Sequence, residues 1–143
     1  MSARWMDFII GFWCGVMIAV PLGMMIGKAK ADDLDIAATQ AQVNAILKTN
    51  IQELPAVYVV DSLPRGDWGS YVENEIRISR EIRPGCEGWT LAHEVSHHIA
   101  FKAGLLRDIP TDAVLLKAEL ERIAVVVEDA WPVYTPNCRR RID

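Results

Sequence analysis

His93, Glu94 and His97 stand in the order H-E-x-x-H within TLAHEVSHHIA, residues 90–100. His98 follows at once, so all three histidines of the chain lie in this one stretch. On a helix, positions i and i+4 are about 40° apart around the axis and one turn apart along it. His93 and His97 can therefore aim their imidazoles at one point. That supplies two of the three protein ligands of an open, tetrahedral site for Zn2+. Glu94 is about 100° from His93, beside such a metal. There it can take a proton from water polarised by zinc as the water attacks a carbonyl, then pass it to the leaving amine.

The same helix must be buried to be useful. Leu91, Ala92, Val95, Ile99 and Ala100 supply the apolar surface. A buried helix that also carries His, Glu and His is costly unless those groups have partners. His98, about 100° from His97, points away from the pair, and a surface position is its default.

The third ligand has to come from another element. The compact pattern H-E-x-x-H-x-x-G-x-x-H fails, because Ala100 stands at its glycine and Ala103 at its last histidine. No histidine remains, so a carboxylate is needed. The segment LLKAELERIAVVVEDAW offers Glu119, Glu121, Glu128 and Asp129, with Leu116, Leu120, Ile123 and Val127 as its core stripe. Glu121 and Glu128 are seven apart and share a face, with small Ala124 between them to allow close approach of two helices. Glu121 is the first choice for the ligand. Glu128 is the second, or a hydrogen-bond partner to a histidine N–H. Glu119 lies on a different face and ranks third.

Around these residues the sequence predicts a helix over residues 32–52 ended by Pro55, then a strand at AVYVVD, residues 56–61. A turn-rich loop, residues 63–69, leads to a hairpin of Tyr71–Glu73 with Glu75–Ser79, turning near Asn74. RPGCEG breaks the chain before the motif helix, about Trp89–Ala103, with Gly104 as its C-cap. Thr111 or Asp112 caps a last helix running to about Ala130, and Pro132 stops it. Helix, two or three strands, motif helix and final glutamate-bearing helix make an α+β domain.

That domain is expected over residues 32–143. Before it, the run from Phe8 to Gly27 carries no charge and has no polar face. Twenty such residues would cover a bilayer core of roughly 30 Å. Residues 1–31 therefore read as a transmembrane anchor or a signal peptide, with AKA at 29–31 as a possible cleavage site. Lys28 and Lys30 outnumber Arg4, which favours a cytoplasmic domain, whereas the cleavage site favours export. Cys86 and Cys138 are the two cysteines outside the run and can form one disulfide, again favouring the exported, periplasmic or extracellular side. The chain has a net charge of −4. Setting aside Arg4, Asp7, Lys28 and Lys30 leaves about −6 on the rest, which disfavours nucleic acid as a partner.

TLAHEVSHHI followed by ELERIA resembles the minimal gluzincin-type zinc peptidases, and within them the ImmA/IrrE-like group. WGSYVENEIRIS is similar to the strands that precede the motif there. The resemblance covers roughly residues 55–131. It implies a minimal zincin-like domain in which His93, His97 and Glu121 are the zinc ligands and Glu94 is the catalytic base. It also implies that the Glu75–Ser79 strand is the edge with which extended peptide substrates pair. Ser96 stands where the family has glycine, Val125 stands where an asparagine often follows E-x-x-A, and a membrane segment is not typical of that group. The expectation is a small membrane-tethered or secreted zinc endopeptidase acting on peptides or proteins. The alternatives are a non-catalytic binding module on the same fold and a membrane-associated interaction protein with a chance motif. Tyr71, Tyr134 and Arg80 are candidate donors to a transition-state oxyanion, and Trp68, Trp89 and Trp131 are expected to be packing residues.

Overall fold

The computed structural model describes residues 34–109, 112–131 and 138. The first helix, α1, spans Ile36–Leu47. Its cap is Asp35, whose carboxylate accepts from the Ala38 N–H at 3.0 Å, satisfying one of the donors a helix start leaves open. The helix stops well before Pro55, not at the proline. Lys48 takes a left-handed φ of 58° because the Asn44 side chain turns the backbone there. Asn44 Oδ1 accepts from the Thr49 hydroxyl and the Ile51 N–H, and Nδ2 donates to the Ile51 carbonyl, each at 2.9 Å.

Three strands follow: β1 (Ala56–Val60), β2 (Gly69–Val72) and β3 (Glu75–Ser79). A short 3-10 turn at Pro64–Gly66 joins the first two. The hairpin between β2 and β3 turns on Glu73 and Asn74, both at positive φ (45° and 70°), the two-residue turn whose twist matches its strands. β2 runs antiparallel to β3, with Tyr71 opposite Ile76. β1 runs parallel to β3, with Val57 opposite Ile76. The order is thus β1-β3-β2.

That order corrects one expectation. Glu75–Ser79 is the central strand, hydrogen-bonded on both sides, so no peptide can pair with it. Among the described residues the free edges are β1 and β2. Ile76 and Ile78 are fully buried on the face of the sheet that meets the helices, while Arg77 points to the open face.

The motif helix, α2, spans Glu87–Lys102 and packs against β2, β3, α1 and the last helix. Eleven of its sixteen residues are buried, which makes it the axis of the domain. Leu91, Val95 and Ile99 are fully enclosed and contribute about 1.5–3 kcal/mol each. Gly104 (φ 71°) ends it. The Leu105 N–H donates to the Ala100 carbonyl at 3.0 Å and the Gly104 N–H to that of Phe101 at 3.3 Å, the paired closure that a left-handed residue permits.

The last helix, α3, spans Ala113–Ala130, with Asp112 accepting from the Val114 and Leu115 N–H groups at 2.8 and 3.1 Å. It docks through Ile123, Ala124, Val127 and Glu128. Trp89 is buried, and Trp68 and Trp131 pack against the same core, as packing residues should. Cys86, at the start of α2, and Cys138 lie at disulfide distance, with sulfurs 2.04 Å apart, and both are buried. Among the described residues the architecture is α+β, three helices on a three-stranded sheet. Among the described residues no helix is long and apolar enough to cross a membrane. The apolar run at 8–27, the AKA site, Thr111, Pro132 and Tyr134 lie outside the described residues.

Candidate metal centre

His93 and His97 present their rings side by side on α2, with centroids 4.8 Å apart and planes nearly perpendicular (84°). Across from them, α3 brings in Glu121. Its Oε2 stands 3.4 Å from His93 Nε2 and its Oε1 stands 3.6 Å from His97 Nε2. One ligand atom from each of the three residues lies within 4.8 Å of the others. Bonds of about 2.0–2.1 Å in a tetrahedron place donors about 3.3–3.4 Å apart. The two carboxylate contacts, 3.4 and 3.6 Å, are near that spacing, and the donor set, spread over up to 4.8 Å, would contract around a metal ion.

Fully buried Ala124 lets the two helices approach closely enough for this. One turn on, Glu128 is buried and its Oε2 accepts from His93 Nδ1 at 2.8 Å. A carboxylate can only accept, so Nδ1 keeps its proton for Glu128, and Nε2, which faces Glu121, is the nitrogen left to exchange its proton for a metal ion. Glu128 is therefore the orienting partner and Glu121 the candidate ligand. Glu119 is partly buried and pairs with Arg122. His97 Nδ1 is buried and has no hydrogen-bond partner among the described residues, so packing and the Nε2 contact with Glu121 set that ring.

Charge in the centre favours a cation. Burial by itself drags the His93 pKa down. Hydrogen bonds to Glu121 and Glu128, backed by the charge of Glu94, overcome this and push it up to about 10. Contacts with His93 and His97 hold the Glu121 carboxyl far below the usual carboxylate range. A nitrogen that holds a proton this firmly among carboxylates also suits a divalent ion competing for the same lone pair.

Glu94 is buried beside the histidines. Burial raises its pKa, the charges of His93 and His97 oppose that, and Glu121 and Asp67 reinforce it. The backbone of β2 lies directly over this side chain. A Cβ built on Gly69 would come within 2.8 Å of Glu94 Oε1 and 2.9 Å of the Thr90 methyl carbon. Gly69 was not foreseen as part of the site. Its only trace in the sequence is a glycine opening a strand otherwise made of larger residues.

His98 is the second surprise. It is fully buried, not on the surface. Its Nε2 lies 2.8 Å from the Glu53 carbonyl and its Nδ1 lies 3.4 Å from the Tyr71 hydroxyl. Burial lowers its pKa, only partly offset by the Glu53 carbonyl. Two oxyanion candidates are thereby accounted for otherwise: Tyr71 is engaged by His98, and Arg80 pairs with Asp61. Ser96, fully buried, sends its hydroxyl to the His93 carbonyl at 2.5 Å and so is satisfied within the helix. No protein-family model, curated protein or solved structure matches the chain.

Proposed function

We propose that the protein is a zinc peptidase of the gluzincin type, built on a minimal zincin-like domain. The observation that carries this reading is the meeting of His93, His97 and Glu121 around one point, with buried Glu94 beside them and Glu128 orienting His93. Zinc, when bound, supplies a Lewis acid that lowers the pKa of water and polarises a carbonyl. His93, His97 and Glu121 would hold it. Glu94 accepts a proton from water as its oxygen attacks the carbonyl carbon. It then delivers that proton to the departing amine nitrogen as the C–N bond breaks. Burial raises its pKa, which makes it a stronger proton acceptor than an exposed carboxylate. The free edge of β2, beside Glu94, offers backbone groups to an extended peptide.

Pairing of Cys86 with Cys138 supports an oxidising, exported location, with residues 1–31 as membrane anchor or signal peptide. Metal analysis of the full-length chain and its variants tests the proposal. The expected result is roughly one zinc per chain, lost in His97→Ala and strongly weakened in Glu121→Ala. Glu94→Gln should keep zinc and lose cleavage of a peptide library. A Glu94→Gln protein that cleaves as fast as the parent would eliminate the peptidase mechanism, leaving a zinc-binding module.

A further inference from the structure

His98 takes no part in the metal centre, yet it is the most enclosed of the three histidines. The Glu53 carbonyl can only accept, so His98 Nε2 carries the proton and donates at 2.8 Å. Nδ1 is then an acceptor for the Tyr71 hydroxyl at 3.4 Å, which shares its one proton between His98 and Asn74 Oδ1 at 3.3 Å. The Glu53 carbonyl is itself fixed, because Gln40 Nε2 donates to it at 2.8 Å and to the Ile51 carbonyl at 3.0 Å. His98 thus ties a loop anchored on α1 to Tyr71 in the edge strand β2.

The spacing of this tie matters. Glu94 and His98 are four residues apart on α2, a rise of about 6 Å on one face. Gly69 and Tyr71 are two residues apart on β2, about 6.6 Å along one face. The two intervals match, so strand and helix meet at two points. Tyr71 meets His98, and the Gly69 backbone meets Glu94. Among the described residues β2 is a four-residue edge hydrogen-bonded to β3 alone. Its second attachment, to α2, decides how it sits over the carboxylate. The Phe101 ring stacks on Tyr71 at 5.8 Å and the His98 ring meets it edge-on at 5.7 Å, and of these contacts only the hydroxyl bond to His98 Nδ1 has a preferred direction.

We propose that His98 is a positioning residue: through Tyr71 it fixes the height of β2 on α2, keeping Gly69 against Glu94 and the strand edge in register with the metal centre. This rests on the reading of Glu94 as the proton-transferring group in peptide hydrolysis.

The test uses the zinc-loaded full-length chain in detergent, with His98→Leu, Tyr71→Phe, the double variant and His98→Gln. All four should keep zinc. In His98→Leu and Tyr71→Phe, kcat/KM should fall about ten- to a hundredfold, and the double variant should be no worse than the weaker single. His98→Gln, which can donate to Glu53 and accept from Tyr71, should recover most of the loss. A nuclear Overhauser contact between the Gly69 Hα and Glu94 Hγ protons should follow the same order. It should be present in the parent and His98→Gln and weakened in the other three. A zinc-bearing His98→Leu chain with parental kcat/KM and an unchanged contact overturns the proposal, and so do additive losses in the double variant. If His98→Leu does not fold, Tyr71→Phe, which keeps the ring, decides the matter. A parent that holds zinc and shows the contact but cleaves no peptide removes the peptidase reading. The contact alone then judges His98.

Discussion

Glu128 accepts a hydrogen bond from His93 Nδ1 at 2.8 Å, while Glu121, seven residues earlier on α3, faces the other nitrogen of the same ring. One helix therefore supplies both a candidate ligand and the group that aims its neighbour. Removing Glu128 frees the His93 ring without touching a ligand. Glu128→Ala should weaken zinc binding about 10–100-fold, and Glu128→Gln, whose amide oxygen can still accept, should weaken it less. Competition with a chromophoric chelator measures both.

The shifted pKa values give the metal-free chain a defined pH profile. His93 rises from 6.5 to about 10 on folding. Its contribution to stability is therefore complete below pH 6.5 and disappears as the pH climbs through about 10. Glu121 is shifted the other way, so its contribution is present above 4.5 and is lost as the pH falls below that value. Denaturant midpoints of the metal-free chain should accordingly be highest between these limits.

At pH 7 the same shift makes metal and proton compete for His93 Nε2. Zinc binding should release roughly one proton from this ring. Calorimetric titrations in buffers of different ionisation enthalpy read this directly, and a buffer-independent enthalpy would contradict it.

Gly69→Ala places a methyl group 2.8 Å from Glu94 Oε1. The methyl group also meets Glu94 Cγ and the Thr90 methyl carbon at 2.9 Å, so the Glu94 side chain and β2 must shift relative to each other. Zinc content and fold should survive while kcat falls about tenfold or more. Steady-state kinetics at matched zinc loading checks this.

Cys86 and Cys138 close a loop spanning 52 positions between the start of α2 and the chain after α3. Chain-entropy reasoning gives such a link about 4 kcal/mol. The oxidised chain should be lighter than the reduced one by two hydrogens in mass spectrometry. Cys86→Ser should lower the denaturant midpoint to that of the reduced parent.

Much of this arrangement is legible in the residues, wherever local rules act. H-E-x-x-H identifies its own helix, Asp112 and Gly104 mark helix ends, and Asn74 lies in the turn of the hairpin. The seven-residue interval between Glu121 and Glu128 places both on one face. What escaped depends on contacts distant in sequence. The central position of β3 follows from parallel pairing with β1, which no local pattern encodes. The early end of α1 is set by one side chain, Asn44, folding back on Ile51. His98 is buried because β2 and the Glu53 loop close over it, and an angular position on the helix cannot reveal what lies opposite. Chain spacing and helix faces make Glu121 the first choice over Glu128 as ligand, and in the structure the two carboxylates face different nitrogens of the His93 ring.

The division of the centre between α2 and α3 has a kinetic consequence. α2 is enclosed along most of its length, whereas α3 is held by only four buried residues, one of them Glu128 itself. When α3 lifts away, Glu121 and the aim of His93 go together. Metal release and amide hydrogen exchange along α3 should then share a single opening rate, so the lifetime of the bound ion becomes a clock for the undocking of one helix.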